Sequence, residues 1–249
     1  MNFTVESDIG LKRAVNEDRA SLFERPDKLK LAVLADGMGG HNAGDVASEM
    51  AITLLRNSFL NASADELATK ESRKLWLQQA VSHTNNEIYQ YSLANEGCKG
   101  MGTTLISCVV DGTNSIIAHV GDSRLYYFSE DKVELITRDH SYVNVLIDKG
   151  AISEEEAENH PNKNLIVKAI GTESTIEPDF YELEIADDSY VLICSDGLSN
   201  KLSTSEMAAI ITLPKPLQER GKMLVQLAND SGGEDNISLV LLTMQGEEV

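Results

Sequence analysis

Positive charge is what this chain most lacks. Its 249 residues carry 21 Lys and Arg against 40 Asp and Glu, a net charge of −19. Such a surface repels DNA and anionic lipid, which disfavours a general nucleic-acid role. Most of the acids then serve solubility, and only those at unusual places call for another reading. Cysteine is scarce too: Cys98, Cys108 and Cys194 are an odd set that cannot all pair. Cys108 and Cys194 fall in apolar, strand-like runs and read as buried free thiols. With an opening "MNFTVESDIG" that does not read as a signal peptide, a reducing cytoplasm is expected. No run approaches the ~18 apolar residues of a membrane span. No stretch rich in Pro, Gly or Ser divides the chain and no repeat is visible, so residues 1–249 are expected to form one domain.

The texture that is present is α/β with much hairpin character. Residues 28–36 read as a strand and 44–60 as a helix, with Val46, Met50, Ile52, Leu54 and Leu55 at helical spacing. A longer amphipathic helix is expected over 71–93, with Leu75, Leu77, Val81, Ile88 and Tyr91 inward. Four short strands follow, 102–110, 114–121, 123–129 and 132–138, the first pair joined at Asp111-Gly112, and together they read as an antiparallel meander. From 141 to about 170 the pattern is helical but less apolar, with Ser153 as an N-cap, and reads as a small insertion. Strands are expected again at 177–185, 189–196 and 236–244, with helices near 204–212 and 216–230. Two sheets packed together with helices outside would accommodate this order.

The acids at strand ends stand out. "LAVLADG" ends in Asp36, "YVLICSDG" in Asp196 and "IIAHVGDSR" in Asp122, while Asp235 precedes the last strand in "GGEDNISLVLL". One such residue is ordinarily a turn or cap residue. Four converging carboxylates would repel one another and raise their pKa values unless cations sat among them. An all-oxygen set points to Mg²⁺ or Mn²⁺ rather than zinc. The neighbouring glycines would let a backbone carbonyl approach such an ion. Near the N-terminus, "GLKRAVNEDRA" supplies Arg13, Asn16, Glu17 and Asp18. An arginine there could be one half of a surface ion pair or, beside a metal site, a fork for phosphate oxygens.

Seven motifs in order, "NEDR", "DGMGGHNAGDVAS", "GMGTT", "HVGDSRLY", "TRDHS", "LICSDGLSN" and "GGEDNIS", spread over nearly the whole chain. With them the sequence resembles the bacterial metal-dependent serine/threonine protein phosphatases of the type-2C (PPM) family. The resemblance implies an α+β fold, a four-layer α/β/β/α sandwich of two antiparallel sheets, with the insertion at about 142–170 as a flap. It implies that Asp36 bridges two ions, Mn²⁺ or Mg²⁺. The Gly37 carbonyl would bind the second ion, and Glu17 would reach that ion through water. Asp196 and Asp235 would hold the first ion, and Asp122 with Asp196 a third, weaker one. Arg13 would bind phosphate, Asn236 would stand behind the ligands, and Asp18 would support the site structurally. The implied reaction is direct in-line attack by a water bridging two ions, with no phosphoenzyme and no cysteine nucleophile. Animal members place a histidine directly after Asp-Gly. Met38 stands there in this chain, which makes His41 the candidate general acid, with a water as the alternative. His140 reads as structural.

The implied partners are phosphorylated proteins and an opposing Hanks-type kinase, with no nucleic acid, no membrane insertion and a monomeric enzyme. Two other readings compete. A catalytically silent phosphoprotein-binding module would be expected to lack one or more acidic ligands, and all are present. A two-metal nuclease is disfavoured by the charge of −19.

Overall fold

The structure, a computed structural model, describes residues 1–39, 43–130 and 132–244. Two antiparallel sheets lie at its centre. One runs β1 (Asn2–Asp8), β11 (Ile237–Thr243), β10 (Tyr190–Cys194), β7 (Arg124–Phe128) and β8 (Val133–Leu135). The other runs β2 (Asp18–Glu24), β3 (Lys30–Met38), β5 (Leu105–Asp111), β6 (Asn114–Val120) and β9 (Asp179–Glu184), with the short β4 (Gly102–Thr103) on β3.

Why the central strands are apolar without alternation follows from the layers. In β3, Leu31, Val33 and Ala35 face helices α1 (Ala43–Asn61) and α2 (Lys70–Ala94), which supply Leu55, Phe59, Leu77 and Val81. The intervening Ala32 and Leu34 face the other sheet, where they meet Val191, Ile193, Val240 and Leu242. In β11 the same division sends Leu239 and Leu241 toward α6 (Thr204–Ile211) and α7 (Leu217–Asp230). A strand buried on both faces needs apolar residues at every position. Truncating such a residue, for example Leu34→Ala, removes about 2–5 kcal/mol of stability. The α/β/β/α sandwich is therefore built from three apolar layers, and the layer between the sheets is the one that runs out into the acids.

Four points of the sequence reading need correction. The strands over 102–138 do not form one meander. β5 and β6 pair in one sheet, whereas β7 and β8 pair in the other, and β6 takes β9 as its second neighbour. The chain changes sheets at Gly121, whose φ of +108° places it in a region that favours glycine. In α2, Leu75 and Tyr91 are exposed, and Trp76, Ala80 and Thr84 are buried with Leu77, Val81 and Ile88. The helix turns its 77–81–84–88 stripe inward, and Leu75 lies away from it. Edge strand β1 and strand β2 were not anticipated, because both are mixed in polarity and only half-buried. At the first hairpin Asp111 pairs with Asn114, so Gly112 and Thr113 form the turn.

The insertion lies between β8 and β9. It carries α3 (Tyr142–Asp148) and α4 (Glu154–Glu158), each with a single buried residue, Val143 and Ala157. Ser153 caps α4 in a capping box with Glu156, as its sequence suggests. Among the described residues no helix is long and apolar enough to cross a membrane.

Candidate active site

Strand parity places the first carboxylate. Ala32, Leu34 and Asp36 share the face of β3 that looks at the other sheet, so Asp36 continues the inter-sheet layer where its apolar residues stop. β3 runs on to Met38 rather than ending at Asp36, because β4 pairs with its last residues. The neighbouring strand sets Asp18 directly opposite Asp36. The "GMGTT" segment then fixes the Asp36 backbone. The Asp36 N–H donates to Thr104 Oγ1 (3.0 Å), and the Asp36 carbonyl accepts from the Thr104 N–H (2.8 Å) and Thr103 Oγ1 (2.9 Å).

The other acids arrive on loops at the same end. Asp122 follows the sheet change at Gly121, where any Cβ would run into Thr104. Asp196 opens the one-turn helix α5 (Asp196–Ser199) after β10 rather than ending the strand. Its Oδ2 accepts from Asn200 Nδ2 (3.1 Å). Gly197 beside it packs on the Asn236 carbonyl with no room for a side chain. Asp235 Oδ1 accepts from the Asn236 N–H (2.8 Å), and Asp235 Oδ2 from Arg13 (2.7 Å).

Asn236 is the clamp of the N-terminal loop. Its side-chain amide donates to the carbonyls of Ile9 (2.9 Å) and Val15 (3.0 Å) and accepts from the Glu17 N–H (2.8 Å). That holds Arg13 and Glu17 against the carboxylates. The Gly37 N–H donates to the Glu17 carbonyl (3.1 Å), and the Glu17 carboxylate reaches the Gly44 N–H at the start of α1. Gly37 and Gly44 pack so closely that a Cβ on either would strike the other's backbone. Asp45 lies in the first turn of α1, and His41 falls outside the described residues.

The electrostatics record the crowding. Burial pushes the Asp18 carboxyl up to about 7, although it accepts from Ser195 Oγ (2.6 Å). Burial likewise lifts Asp122 to about 7, with Asp196 and Asp139 adding to the rise. Asp36 is partly open at the mouth of the site, yet desolvation and the charges of Asp18, Asp196, Asp122 and Asp235 raise it well above the usual carboxylate range. Asp196 is raised by burial and by Asp235.

Several residues shape the site; of these His140 was read from sequence as structural, and Arg124, Ser195 and His119 were not singled out. Arg124 grips Asp139 through its Nε and Nη2 (2.7 Å) and faces the acids from β7. Ser195 ties Asp18 to β11 by accepting from the Ser238 N–H (3.0 Å). His140 accepts from the Gly121 N–H (3.0 Å) and stacks on the buried His119, with ring centroids 4.9 Å apart. The signal for them was their place inside motifs, "GDSR", "TRDHS" and "LICSDGLSN", that also carry or adjoin the acids.

Does this set suit metal ions? Every side-chain donor is a carboxylate, the match for hard divalent cations. Asp122 Oδ1 is buried with no hydrogen-bond partner among the described residues, and so lies ready to accept a charge. Among the described residues, however, no group of three or more His, Cys, Asp or Glu is placed to hold a metal ion. Arg13 holds Asp235 instead. The fit is that of Mg²⁺ or Mn²⁺, which use one or two carboxylates and keep water in their other positions.

Comparison with known proteins agrees with this geometry. Residues 12–236 match the family model described as protein phosphatase 2C. A serine/threonine phosphatase, Stp, of Listeria innocua is 40% identical over 97% of this chain and 95% of its own. The serine/threonine phosphatase of S. agalactiae superposes with a TM-score of 0.92 at 37% identity, covering 97% of this chain and 98% of that one. The catalytic domain of the phosphatase PstP, solved with two manganese ions, has a TM-score of 0.81 at 34% identity over 96% of each chain. By the motifs it carries, the layers they are built into and the length over which it matches, this chain belongs to the protein phosphatase 2C family.

Proposed function

We propose that this chain hydrolyses phosphoserine and phosphothreonine on proteins, using divalent cations held at the mouth of the inter-sheet layer. The observation that carries the reading is the meeting of Asp36, Asp122, Asp196 and Asp235 at one end of the sandwich, with neighbouring charges that raise Asp36, Asp122 and Asp196. A fold retains such a costly cluster where function requires it. Family membership and the manganese-bound relative support the same reading.

In this reading Asp36, Asp196 and Asp235 would hold the ions, with the Gly37 carbonyl as a further ligand and Glu17 acting through water. Asp122 offers its unpartnered Oδ1 to a third ion. When bound, such cations neutralise the carboxylates, acidify a water and align the phosphoryl oxygens for in-line displacement. The protein's part is positioning. Thr103 and Thr104 lock the Asp36 backbone, and Asn236 holds the loop that carries Arg13. The Arg13 guanidinium has five donors, so it can keep one on Asp235 and turn others to a phosphate. Neither Cys108 nor Cys194 serves as a thiol nucleophile, since burial pushes both up to about 12. The segment 142–170 serves as the flap that selects phosphoprotein substrates, and the natural counterpart is a serine/threonine kinase acting on the same proteins.

Phosphate release from a phosphothreonine peptide and from p-nitrophenyl phosphate tests the reading. Turnover with Mn²⁺, loss of it in EDTA and loss in Asp36→Asn are expected. A wild-type enzyme inert with Mn²⁺, or an active Asp36→Asn, overturns it.

A further inference from the structure

Beside the carboxylates lies a second charged group that the reaction does not use. Lys12 and Lys201 both reach Glu234, Lys201 in a close ion pair at Oε2 and Lys12 at 3.8 Å from Oε1. The three come from three of the loops that build the site. Lys12 precedes Arg13, Lys201 follows the Asn200 that grips Asp196, and Glu234 precedes Asp235. Lys12–Glu234 and Arg13–Asp235 thus form two successive rungs between the same two loops. The Glu234 carboxylate lies folded over Gly232, whose φ is +131° and where a Cβ would meet both carboxylate oxygens within 2.6 Å. The seat is open: Lys12 is 64% and Glu234 48% exposed, with Lys201 behind them at 24%.

Among the described residues, these two lysines share one glutamate and leave one positive charge over, in a chain whose net charge is −19. We propose, resting on the phosphatase reading above, that Lys12 and Lys201 form a seat for an acidic side chain one or two residues from the phosphorylated residue of the substrate, with Glu234 holding that seat until substrate arrives. The spacing follows from the rungs. In the phosphatase reading Arg13 takes the phosphate, and the next rung is one residue away in sequence, where consecutive Cα atoms lie about 3.8 Å apart. The chemistry follows from lysine. An ammonium is a point charge that changes carboxylate partners without a geometric penalty, unlike the planar fork of Arg13. An exposed ion pair is also weak, so Glu234 is readily displaced. The seat further offers an acidic phosphoprotein a positive point of approach on a surface that otherwise repels it.

Two matched sets of phosphothreonine peptides test the seat, one with Asp at the neighbouring positions and one with Asn. Each is turned over by the full chain with Mn²⁺ at low and moderate salt. The quantity read is the ratio of kcat/KM for acidic over neutral peptides. Wild type is expected to favour the acidic set, less so at higher salt. In the double variant Lys12→Gln, Lys201→Gln the ratio is expected to fall about five- to tenfold, and in Glu234→Gln to rise about two- to threefold. Lys12→Glu should restore turnover of a peptide whose flanking Asp is replaced by Lys. A wild-type ratio near one overturns the proposal, as does a loss in the lysine variants equal on both peptide sets, which would make the lysines loop braces only. Wild type active on p-nitrophenyl phosphate with no acidic preference sinks the seat alone. Wild type inert on every substrate sinks the phosphatase reading and the seat with it.

Discussion

The acidic end of the sandwich and the segment 142–170 share their supports and little else. At the first, carboxylates are carried on strands and tight loops whose backbones are fixed by buried partners, as Thr104 fixes Asp36. At the second, α3 and α4 bury one residue each, while Leu165 and Val167 remain about half exposed. Its roots are nonetheless tied beside the acids. The Thr103 N–H donates to the Ile170 carbonyl, and the His140 N–H to that of Gly121. One region spends stability to hold charges in place, and the other buries little and spends almost none.

The largest expected effect falls on the rigid side. Asp36→Asn should cut turnover with Mn²⁺ by about a thousandfold or more, since it removes the acid at the centre of the set. The same substitution should raise the unfolding midpoint in EDTA, because it removes a carboxyl that its neighbours oppose. Loss of activity together with loss of metal-free stability would count against the comparison. Next in size is pH. Asp18 and Asp122, lifted from 3.8 to about 7, keep protons in the fold that the unfolded chain has already released. The metal-free midpoint should therefore rise as pH falls from 8 to about 6.5. Below that, His119 opposes the trend. Burial pushes its ring down to about 3, so the unfolded chain takes up a proton that the fold refuses. With Mn²⁺ the stabilisation should be larger at pH 8 than at pH 6, because protons compete for the same oxygens. Scanning fluorimetry in EDTA and in Mn²⁺ reads both slopes, and Asp18→Asn should flatten the first.

A smaller effect is expected where the rigid region is braced. Thr104→Val keeps the shape but leaves the Asp36 N–H and Ser123 Oγ without their partner. That should cost about 1–3 kcal/mol in denaturant unfolding and lower turnover about tenfold. Unchanged turnover would show that Asp36 is held by its strand alone.

How far the sequence foretold these regions depends on how local each signal was. Asp36, Asp122 and Asp196 were legible because an apolar run giving way to Asp beside Gly is a contrast within a few residues, and Asp235 because a glycine turn with two acids leads straight into an apolar strand. Helices α1 and α2 were legible for the same reason, to within a residue at either end. The change of sheet at Gly121 was not, because consecutive strands usually pair and nothing in "HVGDSR" marks the exception. The Arg13–Asp235 pair joins residues 222 apart, and only the fold brings them together. The α2 stripe was misjudged at Leu75 and Tyr91, where hydrophobicity was given more weight than helical phase. The braces Thr104, Ser195 and Arg124 were hidden because hydroxyls and cations in motifs look alike whether they touch substrate or backbone.

The smallest effect on stability should come from the other side of the comparison, and it is the sharpest test of whether the two regions divide their labour. Residues 149–164 can be replaced by a short turn that preserves both roots, the Tyr142 N–H to the Leu165 carbonyl (2.8 Å) and the Val167 N–H to that of His140 (2.9 Å). Few buried apolar side chains are lost, so the unfolding midpoint should move by only about 2–4 °C. Turnover of p-nitrophenyl phosphate should fall little, since this small substrate needs only the acids and Arg13. Turnover of phosphoproteins should fall about tenfold or shift among them, since exposed Leu165 and Val167 at the segment's root offer the apolar contact a protein substrate can use. Equal losses on both substrates would mean that the segment braces the acids through Thr103 and Gly121, and the division between a rigid chemical end and a movable selecting one would fail.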